Sequence, residues 1–424
     1  MIVLGLLLLL LALLGAPLFA VIAGSALLGF YRSDVDLSVV VIEFYRLAEM
    51  PILLAIPLFT FAGYLLSESN APRRLVHVTG ALLGWMPGGL AVVSLTACAM
   101  FTAFTGASGV TIVALGALLY PALTQAGYSR HFSLGLITTS GSLGLLFAPS
   151  LPLILYGVIA QQLGVGRSIT VDDLFLAGIF PGVLMLVMLS AWSMWTNRRQ
   201  PLHGLQGAQI GTALREALWE LPLPILVLGG IYSGYFAVSE AAAVTALYVL
   251  IVEVLIHREV PLRALPRIIR ESMVLVGGIL IILGVSLGST NYMIDSEVPT
   301  RLFNTIRTHI SNPLTFLILL NVFLLVLGMM LDIFSALVIM VPLLLPIAVG
   351  YGIDPLHLGI IFLANMQIGY FTPPVGMNLF IASYRFKVPV MQLYRATLPF
   401  FFILLLAVLI ITYWPALSLT LPGK

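Results

Sequence analysis

The chain has 424 residues, of which 60% are hydrophobic and 8% charged, with a formal net charge of +2 and a mean hydropathy of +1.11. This composition lies far outside the range of soluble domains, so it excludes a soluble protein and predicts a polytopic membrane protein. We therefore expect membrane lipids to surround the chain, and we expect no nucleic acid as a partner.

Cysteine, histidine and motif content exclude several kinds of site. Cys98 is the sole cysteine, so an intrachain disulfide is impossible, and the six histidines show no spacing that would assemble a zinc site. The sequence contains no Walker loop, no Rossmann fingerprint and no nucleophile elbow. Energy for any transport is therefore expected from a source other than ATP bound by this chain.

Apolar runs between charged or Pro/Gly-rich loops predict the membrane segments. The first, within residues 1–30, carries no charge and has no basic start, which predicts a retained span rather than a cleaved signal peptide. The Gly-Ala-Pro at 15–17 is a point where this segment could bend or split. In chain order, the predicted segments lie near 2–30, 50–66, 87–121, 132–160, 173–195, 221–256, 272–291, 312–349, 357–381 and 396–416.

Three of these segments are too long for one crossing. Residues 221–256 would form a helix of about 54 Å against a hydrocarbon core of roughly 30 Å, so this segment is expected to fold back near 234–240. The same argument predicts re-entrant hairpins at 87–121 and 312–349, with tips in "FTGASG" and "GMMLDIFS". The tip residues are Thr105, Gly106, Ala107 and Ser108 in the first hairpin, and Met330 and Asp332 in the second.

The two hairpins belong to an internal repeat. Residues 106–157 align with 331–382 at a constant offset of 225, with seven identities in 52 positions. Four of the seven are proline or glycine positions that set backbone breaks, namely Pro121 with Pro346, Gly127 with Gly352, Gly144 with Gly369 and Pro149 with Pro374. The repeat predicts that segments 132–160 and 357–381 are equivalent broken helices.

The number of crossings between the copies predicts that the second copy is inverted relative to the first. With that topology, 13 of the 19 Lys and Arg residues fall on one face, which the positive-inside rule assigns to the cytoplasm. The first hairpin and the N-terminus are then expected inside, and the second hairpin on the outer side. The predicted domains are 1–86 (N-terminal scaffold and arm helices), 87–160 (first transport repeat), 161–311 (central scaffold helices), 312–382 (second transport repeat) and 383–424 (C-terminal helix).

Inverted repeats with paired broken helices are typical of secondary transporters, which bind substrate and coupling ions near the membrane midplane. An unpaired carbonyl in lipid is unfavourable, so an unwound stretch persists where a cation or a water-filled cavity satisfies it. In the second break, Pro373 and Pro374 donate no N–H, and Gly369 and Gly376 permit unusual backbone angles. The freed carbonyls and the Thr372 hydroxyl would form a cage of hard oxygens, which suits Na⁺. One proline break alone is more often a packing kink, but two breaks at equivalent positions favour a site.

Five stretches resemble the large membrane subunit of tripartite ATP-independent periplasmic (TRAP) transporters: "GASGVTIVALGALLYPALTQAGYSRHFSLGL", "GSLGLLFAPSLPLILYG", "VSEAAAVTALYVL", "GMMLDIFSALVIMVPLLLPIA" and "NMQIGYFTPPVGMNLF". The resemblance covers nearly the whole chain. It implies an all-α, elevator-type transporter of the bacterial inner membrane, with two re-entrant hairpins and two broken helices. It also implies two partners, which are a small four-helix membrane subunit and a periplasmic substrate-binding protein. A Na⁺ gradient would drive import of a small carboxylate.

The resemblance further implies at least two Na⁺ sites. The first would lie between the first hairpin tip and the first break, and its matching residues are Ser108, Gly144, Phe147 and Pro149. The second would lie at the offset of 225, and its matching residues are Gly369, Thr372 and Pro374, with Gly328 and Asp332 from the second tip. Two departures from the family pattern leave the ligands of the first site open. The tip has Ala107 where Gly-Ser-Ser is frequent, and the break has Ala148 where the family has a double proline.

Several charged residues have structural alternatives. Asp332 is the only charged residue between Arg307 and Asp354, so it is an N-cap for the return arm, an ion ligand, or both. Glu240 is expected to cap the helix that it begins. The arginines at 73, at 74 and from 258 to 270 are expected to mark the cytoplasmic face and to contact lipid headgroups.

Polar residues near the breaks are the candidates for substrate contact, together with helix N-termini that would face an anion. They are Ser140, Ser142, Asn365, Gln367 and Asn378, although such side chains in membrane helices often only bond a neighbouring helix. Two other functions stay open. One is a stand-alone Na⁺/carboxylate symporter that needs no binding protein. The other is a membrane-embedded lipid transferase or hydrolase, against which stands the lack of any Ser/His or Asp/Asp constellation in the long apolar segments.

Overall fold

The computed structural model describes residues 7, 8, 10, 11, 14–198 and 207–422, and within these residues the chain is helical and has no β-strand. The helices in chain order are α1 (Leu18–Arg32), α2 (Ser38–Arg46), α3 (Ala55–Glu68), α4 (Ala71–Leu83), α5 (Gly89–Thr105), α6 (Ser108–Gln125), α7 (Arg130–Ser140), α8 (Leu151–Leu163), α9 (Val171–Thr196), α10 (Gly207–Glu216), α11 (Pro222–Tyr232), α12 (Val238–Leu250), α13 (Leu265–Asp295), α14 (Val298–His309), α15 (Pro313–Met330), α16 (Ile333–Gly350), α17 (Pro355–Gly369), α18 (Met377–Phe386), α19 (Val390–Tyr413) and α20 (Ala416–Leu419). Nine stretches of the described chain are long and apolar enough to cross a membrane. The predicted all-α polytopic fold is therefore confirmed.

The predicted first segment is split in the described part of the chain. The backbone turns at residues 14 and 15, and α1 begins at Leu18, directly after Pro17. The Gly-Ala-Pro therefore separates two helical stretches, as its composition suggested. Residues 1–6, 9, 12 and 13 of the predicted segment lie outside the described residues.

Both predicted hairpins and both predicted broken helices are present. α5 and α6 are joined by a tip at 106–107, and α15 and α16 by a tip at 331–332. The first broken helix is α7 followed by α8, with an irregular stretch at 141–150, and the second is α17 followed by α18, with an irregular stretch at 370–376. α6 and α16 span equivalent residues at the offset of 225, so the repeat relates the helix ends as well as the sequences.

The two copies interlock. α6 packs on α18 and α16 packs on α8, so the return arm of each hairpin contacts the second half of the other copy's broken helix. In the first of these contacts Gly109 lies against Ile381. Close to the second, Tyr156 packs against Gly359 and donates its hydroxyl to the carbonyl of Pro355 (2.6 Å). The hairpins and broken helices therefore form one packed body.

Helices in the same order flank both copies beyond the aligned residues. The helices α4 and α14 precede the two hairpins at nearly the same offset, and α9 and α19 follow the two broken helices. α9 lies in the segment predicted as central scaffold, yet it packs against α5, α17 and α19. Its neighbours are therefore the first hairpin, the second broken helix and the last long helix.

The predicted fold-back within 221–256 is present, with α11 and α12 joined at 233–237. Its first arm, α11, has 11 residues and a length of about 17 Å, which is shorter than the hydrocarbon core. The crossing count behind the inverted topology assumed a full crossing here, so that topology stays a prediction. Glu240 caps α12 as expected, because its Oε2 accepts from the N–H of Ala237 (2.9 Å).

Four helices of nine or more residues were not predicted, namely α2, α4, α10 and α14. Each mixes apolar residues with charged or polar ones, so a search for uniformly apolar runs passes over it. Such amphipathic helices lie at a surface rather than across a membrane.

Arg74 anchors α4 to the rest of the chain. Its guanidinium lies 2.6 Å from Glu259, 2.6 Å from Glu220 and 3.3 Å from Glu253, and Arg74 is only 8% exposed. Burial opposes its charge, but the three carboxylates outweigh this effect and raise the pKa of Arg74. The prediction that Arg74 contacts lipid headgroups is therefore wrong, whereas its neighbour Arg73 is exposed.

We expect Arg74→Ala to destabilise the protein strongly, because three carboxylates would lose their shared counter-charge. Removing one partner of a buried ion pair costs about 3–5 kcal/mol. The thermal unfolding midpoint of the purified protein should fall by several degrees. Arg73→Ala, at the exposed neighbouring position, is the control and should leave the midpoint nearly unchanged. Equal midpoints for the two variants would contradict the anchoring role.

Candidate functional site

Residues at and beside the two breaks form hydrogen bonds with each other inside the packed body. Ser142 in the first break donates its hydroxyl to the carbonyl of Gln367, which is the equivalent position of the second copy (3.1 Å). Asn378, just after the second break, donates to the carbonyl of Thr138, just before the first (3.3 Å). All four residues are fully buried. The regions predicted as two ion sites are therefore joined by hydrogen bonds across the repeat.

Small residues let each hairpin touch the broken helix of its own copy. A Cβ on Gly144 would lie 2.2 Å from the carbonyl oxygen of Ala99 and 2.5 Å from the nitrogen of Ala103. A Cβ on Gly369 would lie 2.5 Å from the Cα of Gly328. Ala103 and Gly328 are equivalent at the offset of 225, so both copies make the same close contact. The structure thus brings the predicted pair Gly328 and Gly369 together.

Hydroxyl groups tie the first hairpin to the first break. Thr102 donates to the carbonyl of Gly141 (2.9 Å), and its oxygen lies 2.7 Å from the hydroxyl oxygen of Thr111. Because a threonine has one hydroxyl hydrogen, Thr111 is the donor in that pair. At the tip, Gly106 has a positive φ of 63° and ends α5, and Ser108, which begins α6, is buried.

The first break contains carbonyl and hydroxyl oxygens that are not fully hydrogen-bonded. The carbonyl of Gly144 accepts from the N–H of Phe147 (3.0 Å), and the carbonyl of Phe147 accepts from the N–H of Ser150 (3.1 Å). A carbonyl has two lone pairs, so each of these predicted ligands keeps one. Pro149, the remaining predicted ligand of the break, is buried in the same stretch. Three buried hydroxyls of the first copy have no hydrogen-bond partner among the described residues: those of Thr105, Thr139 and Ser150.

Asp332 caps the return arm of the second hairpin. Its Oδ1 accepts from the N–H groups of Phe334 and Ser335, both at 3.0 Å. The remaining N–H of this turn, that of Ile333, donates to the hydroxyl of Tyr370 in the second break (2.7 Å). The cap alternative is therefore confirmed. The ion-ligand alternative stays a prediction, and it would use the other carboxylate oxygen.

The second break is also tied to its hairpin through the backbone. The N–H of Gly376 donates to the carbonyl of Met329 (3.0 Å). Thr372 is 7% exposed and donates its hydroxyl to a carbonyl one turn earlier (2.8 Å), which leaves the lone pairs of its oxygen for a cation. Pro374 is exposed, and its carbonyl accepts the hydroxyl of Tyr394. The two predicted ion sites are therefore chemically different.

The five candidates for substrate contact are fully buried, and each donates a hydrogen bond within the protein: Ser140, Ser142, Asn365, Gln367 and Asn378. The amide oxygens of Asn365, Gln367 and Asn378 have no partner among the described residues. An amide oxygen accepts hydrogen bonds or binds a cation, and it repels a carboxylate. A substrate anion would therefore have to meet other groups.

Sequence reasoning missed three polar residues at the breaks, namely Thr139, Ser150 and Tyr370. Ser150 could have been found because it directly follows Pro149 in the first break. Within the part of the chain that the structure describes, no group of three or more His, Cys, Asp or Glu could hold a metal ion. A cation here would use carbonyl, hydroxyl and amide oxygens, which are the ligands that suit Na⁺.

A family model described as "Tripartite ATP-independent periplasmic transporter, DctM component" matches residues 2–417. The C4-dicarboxylate TRAP transporter large permease protein DctM of Rhodobacter capsulatus is 35% identical, and the match covers 93% of this chain and 92% of the relative. The ectoine/5-hydroxyectoine TRAP transporter large permease protein UehC of Ruegeria pomeroyi is 30% identical, with 97% and 96% covered.

Two further comparisons differ in extent. The isethionate TRAP transporter permease protein DctMQ of Oleidesulfovibrio alaskensis is 34% identical over 90% of this chain, and the match spans 60% of that longer relative. Among solved structures, the YdaH transporter of Alcanivorax borkumensis matches with a TM-score of 0.62, covering 89% of this chain and 87% of that chain. Its sequence identity is 15%, so this match shows a shared fold and no more.

We expect Gly144→Ala to disrupt the first hairpin, because the new methyl group would overlap backbone atoms of α5 that cannot move aside as a side chain would. Overpacking of this kind typically costs about 1–3 kcal/mol. The thermal midpoint of the purified protein should fall. Gly277→Ala is the matched control, because a Cβ there has no neighbour within 4 Å. This control should be neutral or slightly stabilising through helix propensity. A neutral Gly144→Ala would contradict the close contact.

Proposed function

This chain belongs to the DctM component family of tripartite ATP-independent periplasmic transporters, and we propose that it couples a Na⁺ gradient to the import of a small organic acid. The family is one of multi-pass transporter permeases of bacterial membranes and not of enzymes, which removes the enzyme alternative. In this family the large permease works with a small membrane subunit and a periplasmic binding protein. We propose both as partners of this chain.

The observation that carries the proposal is the set of unpaired buried oxygens beside two equivalent breaks. Buried polar atoms are rarely left without a partner, so unpaired hydroxyl and amide oxygens are groups that a cation could use as ligands. Around the first break they belong to Thr105, Thr139 and Ser150, and around the second to Asn365, Gln367 and Asn378. These oxygens and the free lone pairs of nearby carbonyls are the kinds of ligand that Na⁺ needs.

We propose two Na⁺ sites. The first uses the tip residue Ser108 with carbonyls of the first break, and the unpaired Ser150 hydroxyl replaces the hydroxyl that the family pattern places at the tip. The second uses the Thr372 hydroxyl with carbonyls of the second break. Asp332 acts there mainly as the cap that holds α16, and it adds negative charge near the ion.

We propose that the anionic group of the substrate meets helix N-termini. Four helices begin at a tip or break, with first residues Ser108, Leu151, Ile333 and Met377. The positive ends of helices and their unpaired N–H groups attract anions. The N-terminus at Ile333 is already occupied by the Asp332 cap, which leaves three. The relatives named for C4-dicarboxylates and ectoine are similarly distant, so identity alone does not choose among small organic acids.

We propose that the packed body of hairpins and broken helices moves as a unit against the remaining helices, as in an elevator. The stand-alone symporter remains the second candidate. The two functions differ in one requirement, because only the TRAP mechanism needs a binding protein to deliver the substrate.

The first experiment is thermal unfolding of the purified protein in NaCl and in KCl at equal ionic strength. A ligand that binds only the folded state stabilises it by about 2.7 kcal/mol at one hundred times its dissociation constant, so Na⁺ should raise the midpoint. Thr372→Ala and Ser150→Ala should each reduce the rise. Thr245→Ala is the control, because Thr245 is buried in α12 and its hydroxyl bonds its own helix. Equal midpoints in the two salts would rule out the Na⁺ sites.

The second experiment is uptake of a labelled C4-dicarboxylate into proteoliposomes under an inward Na⁺ gradient. The protein should be reconstituted with the small membrane subunit, with and without the binding protein outside. The TRAP mechanism predicts uptake only when the binding protein is present. Uptake at the same rate without it would establish the stand-alone symporter instead.

A further inference from the structure

One buried hydrogen bond joins α13 to the second hairpin. Ser286 on α13 donates its hydroxyl to the backbone carbonyl of Val338 on α16 (2.8 Å). Ser286 is 4% exposed and Val338 is 1% exposed, so the bond is buried; both residues line a small cavity together with Pro342 and Gln162. α13 lies in the predicted central scaffold, whereas α16 is the return arm of a hairpin. The bond therefore crosses from the helices that the proposed function holds fixed to the body that it moves.

Pro342 explains why this carbonyl accepts from a side chain. In an α-helix the carbonyl of one residue accepts from the N–H four residues later. Position 342 lies four residues after Val338 inside α16, and proline has no N–H. Val338 therefore lacks its helical donor, and Ser286 supplies one from another helix.

The first copy has no such arrangement. At the offset of 225 the counterpart of Pro342 is Ala117, so the carbonyl of Val113 has an N–H in its own helix. Val113 is also 46% exposed, in contrast to the buried Val338. A freed carbonyl at this position is thus found in the second return arm and not in the first, where the proline inside the helix is Pro121, and the interlocking contacts that the two copies share do not require it.

We propose that the bond between Ser286 and Val338 is a latch that holds the second hairpin against α13 in one of the positions of the moving body. This inference rests on the proposed elevator motion. When α16 leaves α13, the carbonyl of Val338 loses the donor that Ser286 supplies. A buried carbonyl that loses its hydrogen-bond donor is less stable, so the bond favours the latched position. Ser286 is thus a positioning residue that sets the equilibrium between the latched and unlatched positions of the moving body.

The test is a distance measurement by double electron–electron resonance on the full chain in lipid nanodiscs, purified with the small membrane subunit. Cys98 is the sole cysteine, so Cys98→Ala gives a cysteine-free background. Spin labels at Tyr384→Cys, in α18 of the second broken helix, and at Asp295→Cys, at the end of α13, report the moving body against the fixed helices. Both positions are exposed, so the labels should be tolerated.

Two distance populations are expected, one of them matching this structure. Ser286→Ala should lower the ratio of the matching population to the other about tenfold, because the latched position loses its hydrogen bond. Pro342→Ala should shift the ratio in the same direction, because it restores a helical N–H to Val338 in both positions. The double variant should shift it no further than either single variant, since both remove the same preference.

Two controls separate a latch from general destabilisation. Ser286→Thr keeps the hydroxyl and should keep the ratio. Ser272→Ala removes a buried hydroxyl from the same helix, but that hydroxyl bonds to Ile269 of its own helix, so the ratio should not change. Should Ser286→Ala fail to fold, Pro342→Ala alone still tests the latch.

The outcomes distinguish the latch from the function on which it rests. Two populations with a ratio unchanged by Ser286→Ala and Pro342→Ala would overturn the latch and leave the elevator motion intact. Shifts that add fully in the double variant would also overturn it, because the two residues would then act independently. A single distance under all conditions, in NaCl and in KCl, would overturn the elevator motion and the latch with it.

Discussion

The structure depends on one constraint: a backbone N–H or carbonyl inside a membrane must have a partner. The chain interrupts two helices, at 141–150 and 370–376, and so frees more of these groups than an unbroken helix would. Other groups meet much of this need. Thr102 bonds the first break, Tyr370 bonds the tip of the second hairpin, and Gly376 bonds the end of that hairpin's first arm. The hairpins therefore provide hydrogen-bond partners for the backbone at the breaks, in addition to packing over them.

The close approach of each hairpin to its break follows from the same need for hydrogen-bond partners. A hairpin can pair with a break only if their backbones nearly touch, and Gly144 and Gly369 remove the side chains that would prevent it. The oxygens that stay unpaired after this packing are the groups that the proposed function assigns to ions, and they differ between the copies. The first copy has unpaired hydroxyls such as that of Ser150, whereas the second has unpaired amide oxygens such as that of Gln367. The same backbone arrangement therefore leaves different kinds of oxygen unpaired in the two copies.

The hairpins, their tips, the breaks and the offset of 225 could all be predicted from the sequence, because proline and glycine act on the local backbone whatever surrounds them. The amphipathic helices α4 and α14 could not be predicted by hydropathy, since only one of their faces is apolar. Arg74 resembled a surface charge in the sequence, and its three carboxylate partners lie 146 to 185 residues away along the chain. The unpaired oxygens were beyond sequence reasoning for a similar reason. Whether a buried threonine has a partner depends on distant segments that fold against it.

The central claim is that the breaks are held open by cations. The measurement that tests it most directly is equilibrium binding of radiolabelled Na⁺ to the purified protein with no substrate present. We predict saturable binding that unlabelled Na⁺ displaces and K⁺ does not, with more than one ion bound per chain. Binding that is absent, or that K⁺ displaces equally well, would contradict the claim and would leave the unpaired oxygens to water or protons.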